Sequence, residues 1–286
     1  MASHVPQRVL VTGADGVIGR AVVADLIASG IAVTALSLRF DVDTPADRCV
    51  IGNASDEDVV MQALEDVDAV VHLAAIPHPD QGTAREVFVG NVAATFTVLS
   101  RAAAAGVTRA VIASSVHASG IPLNHAAYMP AYFPLDENLP SAIDDPYSLS
   151  KSVDEQTLRM MASRWGMSGV AFRFPLTAGE ETLQWAAERD EADPSLRVRE
   201  GWAHLTLPDC GAVIRAALTA DYVGAHVLCV ASGTTLLTRP TQELLAEYAP
   251  TVPVRAAIEG HAPAVDTTAM RKLLGDIDAL ARRSAL

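Results

Sequence analysis

Three residues near the middle of the chain could move a proton together. Tyr147 and Lys151 are four apart in Pro146-Tyr-Ser-Leu-Ser-Lys151, a separation that puts both side chains on one face of a helix. A tyrosine titrating at about 10 is a poor proton relay at neutral pH, but a neighbouring ammonium stabilises its phenolate. Ser115 lies just past the apolar run Arg109–Ala113 and offers a hydroxyl that could hold a substrate oxygen while the tyrosine takes or gives its proton. A Tyr-x-x-x-Lys or a Ser-Ser pair alone arises by chance. Their order behind a glycine-rich turn makes them informative.

That turn is Thr12-Gly13-Ala14-Asp15-Gly16-Val17-Ile18-Gly19, between a β-branched run (Arg8–Thr12) and a helical apolar repeat (Val17–Ile27). Gly13 permits the tight turn, Gly16 lets the backbone approach a pyrophosphate, and Gly19 allows helix and strand to pack closely. The phosphates then meet the amides at the helix N-terminus, a site to which Asp15, Val17 and Ile18 also belong. The alternative is an ordinary strand-to-helix turn. With a dinucleotide in place, a nicotinamide's positive charge would further favour the Tyr147 phenolate, and Lys151 would hold the ribose hydroxyls.

About 20 residues beyond such a turn, NAD proteins present an acidic side chain to the adenosine ribose. Here the place reads Leu36-Ser37-Leu38-Arg39. Serine removes the carboxylate that would repel a 2′-phosphate and Arg39 offers a guanidinium fork, so the expected cofactor is NADP or NAD, with NADP favoured. Arg39 as a solvated charge paired with Asp41 or Asp43 is the competing reading.

The elements needed to position these residues are legible. Strand runs at Arg8–Thr12, Ala32–Ser37, Ala69–Leu73, Arg109–Ala113 and Gly169–Arg173 alternate with helical patterns at Val17–Ile27, Asp56–Glu65, Val87–Ala105 and Pro146–Trp165. This alternation predicts an α/β fold, a doubly wound Rossmann-type parallel sheet covered on both faces. The expected organisation is a dinucleotide-binding domain over 1–178 and a small substrate-covering lobe over 179–286, with returning elements packed on the sheet.

Composition bounds the rest. A net charge of -13 disfavours nucleic acid as a partner. No apolar stretch approaches the roughly 20 residues of a membrane span, and Met1–Arg8 carries no secretory pattern, so a soluble cytoplasmic protein is expected. Cys49, Cys210 and Cys229 match neither a disulfide framework nor metal-ligand spacing; buried, reduced thiols and no metal are expected.

Taken together these motifs resemble the extended short-chain dehydrogenase/reductases, in their NAD-dependent epimerase/dehydratase branch, from about Val9 to Leu274. The marks are the Thr12–Gly19 turn, Val71-His-Leu-Ala-Ala75, Asn91, Ile112-Ala-Ser-Ser115, Tyr147/Lys151 and Arg173-Phe-Pro175. The resemblance implies that Leu73, Ala74 and Ala75 line the path from adenosine to nicotinamide and that Pro175 belongs to the cofactor site. It also implies that Asn53 and Ala54 touch adenine, with asparagine where the family usually has an acid. Asn91 would brace the active-site helix, or else be a satisfied buried amide.

Ala113-Ser-Ser-Val-His-Ala-Ser-Gly120 looks most like uronate dehydrogenases, with Val116 in place of their asparagine. That implies His117 faces the substrate, against an exposed loop imidazole, and that Arg197 holds a substrate carboxylate, with Arg199 an equal claimant. Leu176 stands where sugar-nucleotide epimerases grip a diphosphate with asparagine, and Gly179–Glu191 is acidic. The leading expectation is an NAD(P)-dependent oxidoreductase acting on a small hydroxyl or carbonyl compound such as a sugar acid. A nucleotide-sugar 4-epimerase or dehydratase is the alternative, and a non-catalytic cofactor-binding regulator a second. The resemblance allows a homodimer.

Overall fold

The computed structural model describes residues 5–276; residues 1–4 of the N-terminal segment weighed above lie outside it. β1 (Arg8–Thr12), β2 (Ala32–Ser37), β3 (Arg48–Ile51), β4 (Ala69–His72), β5 (Arg109–Ser115), β6 (Ser168–Phe174) and β9 (Ala225–Cys229) form one sheet in the order β3-β2-β1-β4-β5-β6-β9. Every pairing in it is parallel. A second, two-stranded sheet joins β7 (Leu176–Ala178) to β8 (His204–Thr206).

The strands are continuous apolar runs because both faces are covered. On one face α1 (Val17–Ala28) and α6 (Leu207–Thr219) bury Val22, Val23, Leu26, Val213 and Ile214 against Val9, Val11 and Val33. On the other, α2 (Glu57–Ala63), α3 (Ala84–Ala104) and α4 (Pro146–Trp165) bury Val60, Val98, Leu99, Leu158 and Met161 against Leu10, Val70 and Ile112. The strand order reverses between β1 and β4, and ligands of open α/β sheets bind beyond the strand ends at such a reversal.

Several boundaries move for identifiable reasons. α3 starts at Ala84 rather than Val87 because Thr83 and Glu86 form a reciprocal capping box. At 21 residues α3 is long and apolar enough by composition to cross a membrane, contrary to the expectation that no stretch approaches that length. Its Ala94, Val98, Leu99 and Ala102 are buried against the sheet and its neighbours. β5 continues to Ser115, so that serine is the last residue of the strand rather than a loop residue. Cys210 and Cys229 are buried, but Cys49 is exposed because β3 is an edge strand with one solvated side.

Past residue 178 the chain returns to the sheet through α6 and β9, while α5 (Glu180–Ala192) and α7 (Thr241–Tyr248) stay outside it. The short α8 (Thr268–Leu274) closes the described chain. The lobe also draws on residues well before 178. Ile121, Tyr132, Phe133 and Leu135 pack with Trp202, Leu244 and Val265, and Phe133 and Leu135 bridge to Val254 and Val265.

Candidate active site

Gly13 has φ +67°, and a Cβ there would lie 2.8 Å from the backbone nitrogen of Ala74. The turn therefore presses against the segment leaving β4. At Gly19 a Cβ would stand 2.1 Å from the Gly13 carbonyl, so helix and turn meet only through glycine. No side chain caps α1, whose N-cap is Gly16, and its first turn carries no acid. Uncapped amides behind a glycine cradle are the donor set that a pyrophosphate requires, so the residues present suit a dinucleotide.

A cavity of about 840 Å³ opens from this turn. Gly13, Asp15, Gly16, Ser37, Arg39, Asn53, Ala54, Leu73, Ala74, Ala75 and Asn91, all singled out by sequence, line it. Val17, Ile18, Gly19 and Pro175 do not, nor do Tyr147 and Lys151. The sequence reading missed Arg20 and Gln81 on its wall, and weighed Asp41 only as a counter-charge for Arg39. Arg20 was findable as a basic side chain in the first turn of α1. Asp15 accepts from the Asp41 amide at 3.0 Å and pairs with Arg20 at 3.5 Å, tying the glycine turn to the loop after β2. Arg39 pairs with Asp41 at 2.8 Å, with 79% of its side chain exposed.

The side chains suited to proton transfer meet at the carboxyl ends of β5 and β6. Asp145 caps α4 by accepting from the Ser148 amide, with Pro146 in the first turn, so Tyr147 enters at the very start of the helix. Tyr147, Lys151 and Ser115 are all buried. Lys151 Nζ lies 5.8 Å from the centre of the Tyr147 ring and donates to the Ala113 carbonyl at 2.8 Å. Ser115 Oγ accepts from the His117 amide, and the His117 ring stands edge-on to Tyr147 with centres 6.0 Å apart. His117 is thus half-buried beside the phenol rather than an exposed loop imidazole.

Buried polar contacts lock this arrangement. Asn91 accepts from the Ile76 amide at 2.7 Å and donates to the Ile76 carbonyl and to Ser150 Oγ. It is at once a satisfied amide and a brace on α4. Glu155 accepts from Ser114 Oγ at 2.7 Å and from Arg173 Nε at 2.8 Å, joining β5, β6 and α4. Sequence reading missed Glu155, although it lies one helical turn past Lys151.

Arg197 and Arg199 differ from what the resemblance implied. Arg197 is buried, and its guanidinium donates to Asp190 Oδ2 at 3.1 Å, to Glu200 Oε2 at 2.9 Å and to the Ala203 carbonyl. Arg199 donates to the Ile121 and Asn124 carbonyls. Arg197 therefore neutralises carboxylates of the protein itself. Glu200 also faces His117 Nε2 at 3.4 Å. Burial pushes the Glu200 carboxyl up, but the His117 hydrogen bond and the nearby Arg197 and His117 charges outweigh it and hold it at about 2. His117 Nδ1 is buried without a hydrogen-bond partner among the described residues.

Residues 9–231 match the model of the NAD-dependent epimerase/dehydratase family. The chain belongs to that family. As a member it is an oxidoreductase of the extended short-chain dehydrogenase/reductase type. It is 33% identical over 221 residues to an L-arabinose 1-dehydrogenase (NAD(P)(+)) of Haloferax volcanii, a match covering 75% of this chain and 83% of that one. A UDP-glucose 4-epimerase of Azospirillum brasilense is 30% identical over 182 residues, 61% of this chain and 50% of the epimerase. A short-chain dehydrogenase/reductase superfamily protein from Agrobacterium tumefaciens, solved with bound NAD, superimposes with a TM-score of 0.69 at 23% identity, covering 97% and 96% of the two chains.

Proposed function

We propose that this family member is an NAD(P)-dependent dehydrogenase of a small neutral sugar, with Ser115, Tyr147 and Lys151 as its catalytic residues. The observation that carries the proposal is the grouping of those side chains with His117 at the strand ends, while Arg197 is occupied by Asp190 and Glu200. A substrate carboxylate would have to displace two carboxylates already seated on that guanidinium. A hydroxyl-rich neutral substrate needs no such exchange. The 33% identity to an arabinose dehydrogenase supports the same substrate class.

The bound dinucleotide supplies hydride acceptance or donation. Ser115 Oγ holds the substrate oxygen, Tyr147 Oη takes the hydroxyl proton in oxidation and returns it in reduction, and the Lys151 ammonium stabilises the phenolate. His117 Nδ1 orients the sugar. The 4-epimerase reading rests on the Azospirillum relative. Against it, Leu176 opens β7, paired with His204, and brings no polar group to a diphosphate.

NADP over NAD is our reading of the β2 end, where Ser37 offers no repelling charge. The exposed Arg39–Asp41 pair is worth little and opens readily to a phosphate. Two chains are proposed to associate through the apolar groove of about 570 Å³ between α3 and α4, lined by Phe88, Val92, Phe96, Val153 and Met160. A cytoplasmic location accords with an exposed free thiol at Cys49.

The test is a turnover screen of aldoses, uronates and UDP-sugars with each cofactor, followed by nicotinamide absorbance. Aldoses should be oxidised, and NADP⁺ should bind more tightly than NAD⁺. Turnover of a uronate but no aldose, or epimerisation of a UDP-sugar, would overturn the substrate assignment.

A further inference from the structure

Lys151 has a buried carboxylate for a neighbour. Asp154, one helical turn further along α4, places Oδ2 3.4 Å from Lys151 Nζ, and the two side chains are only 2% and 5% exposed. The other acid of that turn, Glu155, is fully employed by Ser114 and Arg173. Asp154 is not: Oδ1 has no hydrogen-bond partner among the described residues. Around it the polar groups run from Thr12 Oγ1 to His72 Nδ1 at 2.8 Å, and from His72 Nε2 to Thr95 Oγ1 at 3.1 Å.

A carboxylate here is a poor choice for packing alone. Buried ion pairs gain little over apolar residues of the same volume, and aspartate is a weak helix former. Burial, the largest influence, raises the Asp154 carboxyl above the usual carboxylate range, and Glu155 adds to this; Lys151 and Thr95 pull the other way. The carboxylate is kept where it costs the fold.

We propose that Asp154 is a positioning residue for Lys151, whose ionised carboxylate anchors the ammonium and offsets part of the positive field that Lys151 casts on Tyr147. This rests on the proposed roles of Tyr147 and Lys151. Asp154 and Tyr147 are seven residues apart, two turns along one helix face, hence about 10 Å. At that range, in a medium between protein and water, one charge moves the phenol's titration by roughly half a pH unit.

The remaining groups facing this cluster leave that effect readable. His72 of β4 is pushed down to about 3, by burial and then by Lys151, and so does not titrate near neutrality. Glu155 is saturated by Arg173 of β6 and Ser114 of β5, and β5 otherwise contributes the Ala113 carbonyl. His117 is the titratable group nearest the phenol from the loop after β5.

The experiment titrates Tyr147 directly by phenolate absorbance in the folded protein, taking the difference between wild type and Tyr147→Phe, then between Asp154→Asn and Asp154→Asn/Tyr147→Phe. The difference isolates one phenol and needs no substrate. Removing the carboxylate should lower the Tyr147 midpoint by about half a unit, and should weaken binding of oxidised cofactor, with its positive nicotinamide, more than that of reduced cofactor. An unchanged or raised midpoint in a folded variant overturns the proposal. Asp154→Ser gives the same reading should the asparagine variant not fold, and if neither neutral variant folds the role is structural and the proposal fails. Turnover by Tyr147→Phe would instead refute the assigned chemistry while leaving the titration readable.

Discussion

Replacing Arg197 by alanine separates a receptor for substrate from a keystone of the lobe. The guanidinium is 5% exposed and neutralises Asp190, itself 2% exposed, and Glu200, 20% exposed. Alanine would remove the cation the two carboxylates share, leaving Asp190 only Arg189 and Glu200 only His117, and would strand the Ala203 carbonyl. Removing one partner from a buried pair costs about 3–5 kcal/mol. At about 2–3 °C per kcal/mol for a chain of this size, Tm should fall by about 6–15 °C. Calorimetry of Arg197→Ala and Arg197→Ala/Asp190→Ala reads this directly, and the second variant should recover part of the loss because one orphan charge is gone. A Tm within about 2 °C of wild type, with a tenfold rise in KM for an acidic substrate, would refute this reasoning and restore Arg197 as the carboxylate receptor.

Other outcomes follow from the same geometry. Tyr147→Phe should abolish turnover while cofactor affinity stays within about threefold, measured by fluorescence titration, because only the proton-transferring hydroxyl is lost. Gly19→Ala drives a Cβ to 2.1 Å from the Gly13 carbonyl and should weaken cofactor binding at least tenfold, on the order of 1.4 kcal/mol; unchanged affinity would mean that the turn is not the phosphate cradle. Stability should fall with acid. His72 and His204 are depressed to about 3 and about 4, both chiefly by burial, so the unfolded chain takes up their protons first, from pH 6.5 downward. The stabilisation from Glu200, present above its unfolded value of 4.5, is lost between there and about 2. Roughly 3 kcal/mol should be lost by pH 4 through His72 alone, and a Tm flat from pH 7 to 4 would contradict these depressed values.

The sequence by itself determined the layered architecture. Continuous apolar runs alternating with helical repeats admit little but a covered parallel sheet, and glycines at 13, 16 and 19 between a strand and a helix specify where backbone must meet backbone. Tyr147, Lys151 and Ser115 were legible because a four-residue spacing and a strand end fix direction locally. Tertiary structure decided what depends on contacts across the chain. Glu200, three residues on, is within local reach of Arg197, but nothing local reveals that Asp190 closes on it too, since that pairing forms only when α5 and the segment before β8 fold together. Nor does the pattern past residue 178 announce β9, whose place beside β6 is set by a parallel register across more than fifty residues. Asp154 and Glu155 look alike on one helix turn. Only the neighbouring strands make one a tie to Arg173 and leave the other with Lys151 as its cation, because a buried carboxylate takes its meaning from the cation it can reach.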